Sequence, residues 1–288
     1  MSVTRPPRGA APRARPSSRS SEGWHGWDDY AAFYDWENRR TVGRRDVGFW
    51  QRFAREARGP VLELGSGTGR VTLPLARGGA RVVGVDRSAE MLAFARKRLR
   101  RARGLAGRAL LARGDIRDLP FETGTFAGVI APYGILQSLL RNQDLSRALS
   151  SVARVLAPGA RFGMELVPDV PRWREYRRRV TLVGRFGRTG PPVTLVESVR
   201  QDRARGLTIF DHEYTVGWGR RREVREFTIQ FRTLSVAALA RRLARAGFTV
   251  ERMYGGYAGE PFSEDADTWI VTATRCESGR SRTPRTAA

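Results

Sequence analysis

The stretch "VLELGSGTGR", residues 61–70, decides the fold. A short apolar strand carrying one acid, Glu63, runs into Gly65-Ser66-Gly67-Thr68-Gly69, where almost all side-chain bulk is stripped away. A plain tight turn needs one glycine. Glycines at alternate positions leave bare backbone against which a ligand can lie. The spacing is Gly-x-Gly-x-Gly, not the Gly-x-Gly-x-x-Gly of a dinucleotide fingerprint, and no Gly-Lys-Ser/Thr follows as in a P-loop. An acid two residues before the first glycine is a poor neighbour for pyrophosphate and a good one for a cationic ligand.

Working outward, "ARVVGVD" (80–86), "RALLARGD" (108–115), "FAGVIAP" (126–132) and "ARFGMEL" (160–166) read as further short apolar strands. Helical segments lie between them. Ser88 is placed to cap one with Met91, Leu92, Ala95 and Leu99 on a single face, and Leu145, Leu149, Val152 and Leu156 mark another that stops at Pro158-Gly159. Strand–helix alternation at this spacing predicts a doubly wound, mostly parallel α/β sheet with its ligand at the carboxyl ends of the strands. Asp86 ends the second strand, where a carboxylate accepts the hydroxyls of a ribose. Asp115 ends the third, and a carboxylate beside apolar Ile116 suits an adenine amino group and ring edge. Three strand-end acids (Glu63, Asp86, Asp115) around one glycine loop are far more specific than any one of them.

The alternation breaks over 168–232. "PPVTLVESVRQD", "RGLTIFDHEYTVGWG" and "REVREFTIQFRT" read as a three-stranded antiparallel insertion. Ser235 then opens a helix through Val236, Leu239 and Leu243 that Gly247 stops, and "FTVERMYGG" and "TWIVTAT" supply two last strands. The expected organisation is a disordered basic tail over 1–24, an N-terminal helical lid over 25–59, a cofactor-binding half over 60–167, a substrate platform over 168–232, a closing helix and two strands over 233–275, and a disordered end over 276–288.

The chain has 288 residues and a formal net charge of +23, from 52 Lys+Arg against 29 Asp+Glu. Such an excess points toward nucleic acid or an acidic surface. Every one of these basic residues but Lys97 is arginine, however, which is the bias a GC-rich genome writes through its codons. The single cysteine, Cys276, excludes an intramolecular disulfide and a cysteine-based metal site, so no metal is expected and a reducing cytoplasm fits best. No apolar run approaches the ~20 residues that cross a bilayer, and the opening residues lack the apolar core of a secretory signal.

The segments "VLELGSGTGR", "VVGVDRSAEML", "GDIRDLPF" and "RVLAPGARF" resemble the signature segments of class I S-adenosylmethionine-dependent methyltransferases of the small-molecule type. The resemblance runs over about residues 28–275 and is strongest over 60–167. It implies a Rossmann-like seven-stranded sheet with the last strand antiparallel and the insertion ahead of the sixth. It further implies that Gly65, Ser66 and Gly67 abut the methionine part of the cofactor S-adenosylmethionine, that Asp86 holds the ribose, that Asp115 and Ile116 frame the adenine, and that Arg87 and Met91 border the adenosine. Ala131, Pro132, Tyr133 and Gln137, after the fourth strand, would line the sulfonium side, and Tyr34 with Arg44 would meet the cofactor carboxylate. Methyltransferases of nucleobase amino groups carry Asn/Asp-Pro-Pro-aromatic at a place that here reads Ala131-Pro132-Tyr133-Gly134. That departure turns the expectation toward nitrogen or oxygen of a small-molecule acceptor. An RNA ribose or ring-carbon acceptor, and a binder without catalysis, remain as alternatives. Within "IFDHEYTV" (209–216), period-two alternation puts His212 on one face with Phe210, Tyr214 and Val216. If that face covers the pocket, His212 is positioned as a general base and Tyr214 as its partner in orienting the acceptor.

Overall fold

Every residue of β1 (Val61–Leu64) is buried, as only a strand in the middle of a sheet covered on both faces can be. The computed structural model describes residues 26–41, 45–102, 104–105, 107–167 and 175–277. The tail expected over 1–24 and residues 278–288 of the one expected over 276–288 therefore lie outside the described residues, as does Arg44. β1 pairs in parallel with β2 (Val82–Asp86) on one side and β4 (Phe126–Ala131) on the other. With β3 (Ala109–Arg113), β5 (Leu156–Leu166), β10 (Phe248–Tyr254) and β11 (Trp269–Arg275), they form a seven-stranded sheet in the order β10-β11-β5-β4-β1-β2-β3. Only β11 runs against the others, as the seven-stranded expectation requires.

Successive strand residues point to opposite faces, and the two cores follow that alternation. Leu62 and Leu64 pack with Leu145, Leu149 and Val152 of α5 (Asn142–Val155) and with Leu239 and Leu243 of α6 (Val236–Arg245). Val61 packs on the other face with Trp50 and Phe53 of α2 (Val47–Glu56) and with Leu75 of α3 (Thr72–Arg77). Two serine caps fall where the sequence places them. Ser88 Oγ accepts from Met91 N at 3.0 Å to open α4 (Ala89–Arg101), and Ser235 Oγ accepts from Ala238 N at 3.2 Å to open α6. One stop does not. The helix expected to run to Pro158-Gly159 ends at Val155, because Leu156 already pairs with Phe126 and β5 runs on through Pro158.

The insertion ahead of the sixth strand of the main sheet is also wider than its sequence suggests. It is a four-stranded antiparallel meander of β6 (Tyr176–Arg185), β7 (Pro192–Asp202), β8 (Leu207–Val216) and β9 (Glu223–Arg232), not three strands. β6 escapes pattern reading because it is an edge strand with no buried face. Its apolar Val180 and Val183 are 57% and 67% exposed, so there is no in–out alternation to find. α1 (Trp27–Asn38) lies on this second sheet, packing Tyr30 and Trp36 against Val193, Leu195 and Tyr214. It is also tied to the main sheet. Asp28 Oδ1 accepts from Ser88 Oγ at 2.5 Å, and Asp35 pairs with Arg98 of α4. α1 therefore bridges the two sheets.

Candidate functional site

At the carboxyl ends of β1 to β4 lies a cavity of about 440 Å³. Gly65 and Gly67 form part of its wall with φ of +61° and +53°, a left-handed backbone that glycine adopts without strain. The turn is braced from the next strand. Asp86 Oδ2 accepts from Gly67 N at 2.8 Å and its Oδ1 accepts from Ser88 N at 2.8 Å. Burial raises the Asp86 carboxyl, although both backbone donors favour its charge. Arg87 and Met91 border the cavity beyond Asp86, while Asp115 and Ile116 border it from the end of β3. Pro132 and Tyr133 close it after β4, and Tyr34 of α1 reaches it from above. Tyr133 has φ of +56°, unusual for a bulky residue, and such strain gathers at functional sites.

Four residues singled out in the sequence stand behind this wall rather than on it. Glu63 is 3% exposed and accepts from the Thr72 hydroxyl beneath the glycine turn. Burial lifts its carboxyl to about 8, against the pull of Thr72 and Arg70. Ser66 Oγ is buried with no hydrogen-bond partner among the described residues, and Ala131 is fully buried. The amide of Gln137 is held by the backbone of Val167, at 2.9 Å from its Nε2 and 2.8 Å from its Oε1. Asp115 is on the wall, but its carboxylate is gripped by Arg117, with Nη2 at 2.8 Å, and by Arg87 at 3.3 Å. Burial works against its charge, yet the Arg117 hydrogen bonds outweigh it and hold the carboxyl below the usual range.

Sequence reasoning missed several contributors to this cavity, among them Trp27, Asp28 and Arg117. Arg117 stands inside "GDIRDLPF", two residues after the acid it grips, so its spacing was visible.

A second chamber of about 680 Å³ adjoins the first, and the two share Trp27, Tyr34, Tyr133 and Phe231 as walls. His212 of β8 lines it and is 4% exposed. Its Nε2 lies 2.8 Å from Glu197 Oε2, and its Nδ1 lies 3.2 Å from the Tyr30 hydroxyl. Burial opposes the charge on Glu197, but hydrogen bonds from His212 and Tyr176 prevail and hold its carboxyl below the usual range. Tyr214 is fully buried behind this wall and donates to Glu37 Oε2 at 2.5 Å; Tyr30 donates to the same oxygen at 2.8 Å. Glu37, Glu197 and His212 bring ligand-type atoms within 4.8 Å of one another. Neither acid was singled out in the sequence. Glu37 was findable, since Tyr30, Tyr34 and Glu37 form an i, i+4, i+7 stripe on α1. Glu197 was not, because only the register of β7 on β8 sets it opposite His212.

The first cavity has the size and lining of a small-molecule site. It suits S-adenosylmethionine: a glycine cradle free of side chains, a braced acid one strand over, and an apolar and acidic rim at the next. The fold and this site define a Rossmann-like methyltransferase. A model described as "Methyltransferase domain" matches residues 61–159. The demethylmenaquinone methyltransferase of Thermus thermophilus is 36% identical over 168 residues, spanning 54% of this chain and 72% of that protein. The Lactiplantibacillus plantarum protein of the same name is 38% identical over 138 residues, and the chain spans 55% of it. Among solved structures, the sugar N-methyltransferase KedS8 of a Streptoalloteichus species superposes with a TM-score of 0.71 over 94% of this chain and all of that one, at 17% identity. The CcbJ methyltransferase of Streptomyces caelestis does so with a TM-score of 0.69, at 21% identity, over 81% of this chain and 90% of that one. This chain belongs to the S-adenosylmethionine-dependent methyltransferases. Among the described residues no helix is long and apolar enough to cross a membrane.

Proposed function

We propose that this methyltransferase acts on nitrogen or oxygen of a small molecule seated in the second chamber. The observation that carries the reading is the junction of the two cavities. Four shared walls place a chamber of small-molecule size directly beside the cofactor cavity. In this reading α1 and the four-stranded sheet are the lid and platform of the acceptor.

Bound S-adenosylmethionine supplies a methyl group already activated on a sulfonium. The chain's own task is to hold the acceptor close, aligned and dry. Gly65 and Gly67 would lie against the methionine portion, Asp86 would hold the ribose, and Ile116 and Met91 would flank the adenine. Tyr34 and Tyr133 would stand between cofactor and acceptor. His212, oriented by Glu197, is placed to take a proton from the acceptor, and Tyr214 acts one step back, by fixing Glu37.

The names of the sequence relatives favour a second reading, carbon methylation of a quinol. A polyprenyl tail needs an apolar channel, whereas this chamber sets six carboxylates among apolar and aromatic walls such as Trp27, Leu195, Phe210 and Ile229. Incubation with methyl-labelled S-adenosylmethionine and cell extract separates the two. The proposal expects label in the water-soluble, low-molecular-weight fraction. Label in the solvent-extracted lipid fraction would support the quinol reading, and label in RNA or protein would defeat both.

A further inference from the structure

The acceptor chamber has the opposite charge to the protein around it. The chain carries +23 overall. Yet the described wall of the chamber holds six carboxylates, Glu37, Asp46, Glu165, Glu197, Glu260 and Asp267, against Arg45 and the imidazole of His212. Several of these acids are already engaged, and one of them, Asp46, by a cation. Arg70 grips Asp46 through two hydrogen bonds, at 2.6 and 2.7 Å. Glu165 accepts from Tyr133 N and the Tyr257 hydroxyl. Glu197 Oε2 lies 2.8 Å from His212 Nε2. Glu37 is different. Among the described residues its hydrogen-bond partners are the hydroxyls of Tyr30 and Tyr214, and the nearest cationic candidate is His212 Nδ1 at 3.9 Å. Hydroxyl dipoles steady a carboxylate without neutralising it.

We infer that Glu37 selects a cationic amine as the methyl acceptor and that the Glu197–His212 pair receives its proton, an inference that rests on the small-molecule reading above. With Nε2–H donated to Glu197 and the Tyr30 proton donated to Glu37, the Nδ1 lone pair is open to a further donor on the Glu37 side. A primary ammonium held by Glu37 passes one proton to Nδ1. The nitrogen lone pair so freed forms the bond to the methyl carbon while the carbon–sulfur pair remains on sulfur. The product is a methylated ammonium, and the imidazolium returns its proton to water.

The test works with simple amines, whatever the natural acceptor is. n-Butylammonium and n-hexylammonium chloride, added to the protein saturated with S-adenosylhomocysteine, should raise its melting temperature more than 1-butanol and 1-hexanol do. Glu37→Gln should abolish that difference while binding S-adenosylhomocysteine as the parent does, which shows the variant folded. In extract, the labelled product freed of unreacted cofactor should be retained on a cation exchanger, and E37Q should lower the rate of its formation at least about tenfold. An equal response to amines and alcohols, or an unaltered response in E37Q, overturns the inference. A neutral or anionic labelled small molecule overturns it too but leaves the small-molecule reading standing. Label confined to polymer defeats that reading itself.

Discussion

The proposed cofactor cavity and the proposed acceptor chamber share four residues but are built in different ways. The first takes its groups from the ends of consecutive parallel strands, so Gly67, Asp86 and Asp115 follow one another in sequence as they do in space. The second is assembled from α1 and an antiparallel meander, where Tyr30 meets His212 across 182 positions of chain. A site of the first kind can be read along the chain, and a site of the second kind appears only once the register of the strands is known. In the proposed reading the two kinds also divide the work: the first would grip the cofactor, and the second would choose and prepare the acceptor.

Substitutions on either side should separate these roles. The largest effect is expected at His212. Loss of a general base costs about 10²–10⁴-fold in rate, so His212→Ala should reduce turnover of the acceptor by that order and leave S-adenosylhomocysteine affinity at the parent level by calorimetry. A change of only a few-fold in turnover would mean that alignment alone does the work.

Asp86→Ala should do the reverse. It removes the acceptor for Gly67 N and Ser88 N as well as the proposed ribose contact. Charged hydrogen bonds are worth ~1.5–3 kcal/mol each, so S-adenosylhomocysteine affinity should fall tenfold or more. An unchanged dissociation constant would remove Asp86 from the site. NAD should bind neither protein.

The smallest effect concerns stability. Burial holds the Glu63 carboxyl at about 8, above the ordinary 4.5 of a glutamate, so folding takes up a proton there. That stabilisation is complete below the unfolded value and is lost as pH rises from about 4.5 through about 8, at no more than roughly 1.4 kcal/mol per pH unit. Glu63→Gln carries no such proton. Melting curves of the cofactor-free proteins should therefore favour the variant increasingly over the parent from pH 5 to pH 8. Parallel curves would show that Glu63 does not titrate in this window.

The contrast also explains what could be read in advance. The parallel sheet was legible because each of its strands is a short apolar run closed by Gly, Asp or Pro, and Ser88 and Ser235 cap where their chemistry says they should. The glycine turn and Asp86 were legible for the same local reason. β6 was not, since an exposed edge strand has no buried face to impose alternation. Glu63 was read as facing the ligand, but its carboxylate lies beneath the turn on Thr72, because alternation along a buried strand sends its side chain to the packed face. Glu197 stayed hidden because its meaning lies wholly in the residue across from it.

The central claim is that the acceptor sits in the chamber between α1 and the meander. Ile229 of β9 lines that chamber and not the cofactor cavity. Ile229→Trp should fill part of the space. The account predicts that this variant loses methyl transfer to the small molecule labelled by the parent in extract, while calorimetry shows parent-like S-adenosylhomocysteine binding. Undiminished transfer by a variant with intact cofactor binding would contradict it and place the acceptor elsewhere.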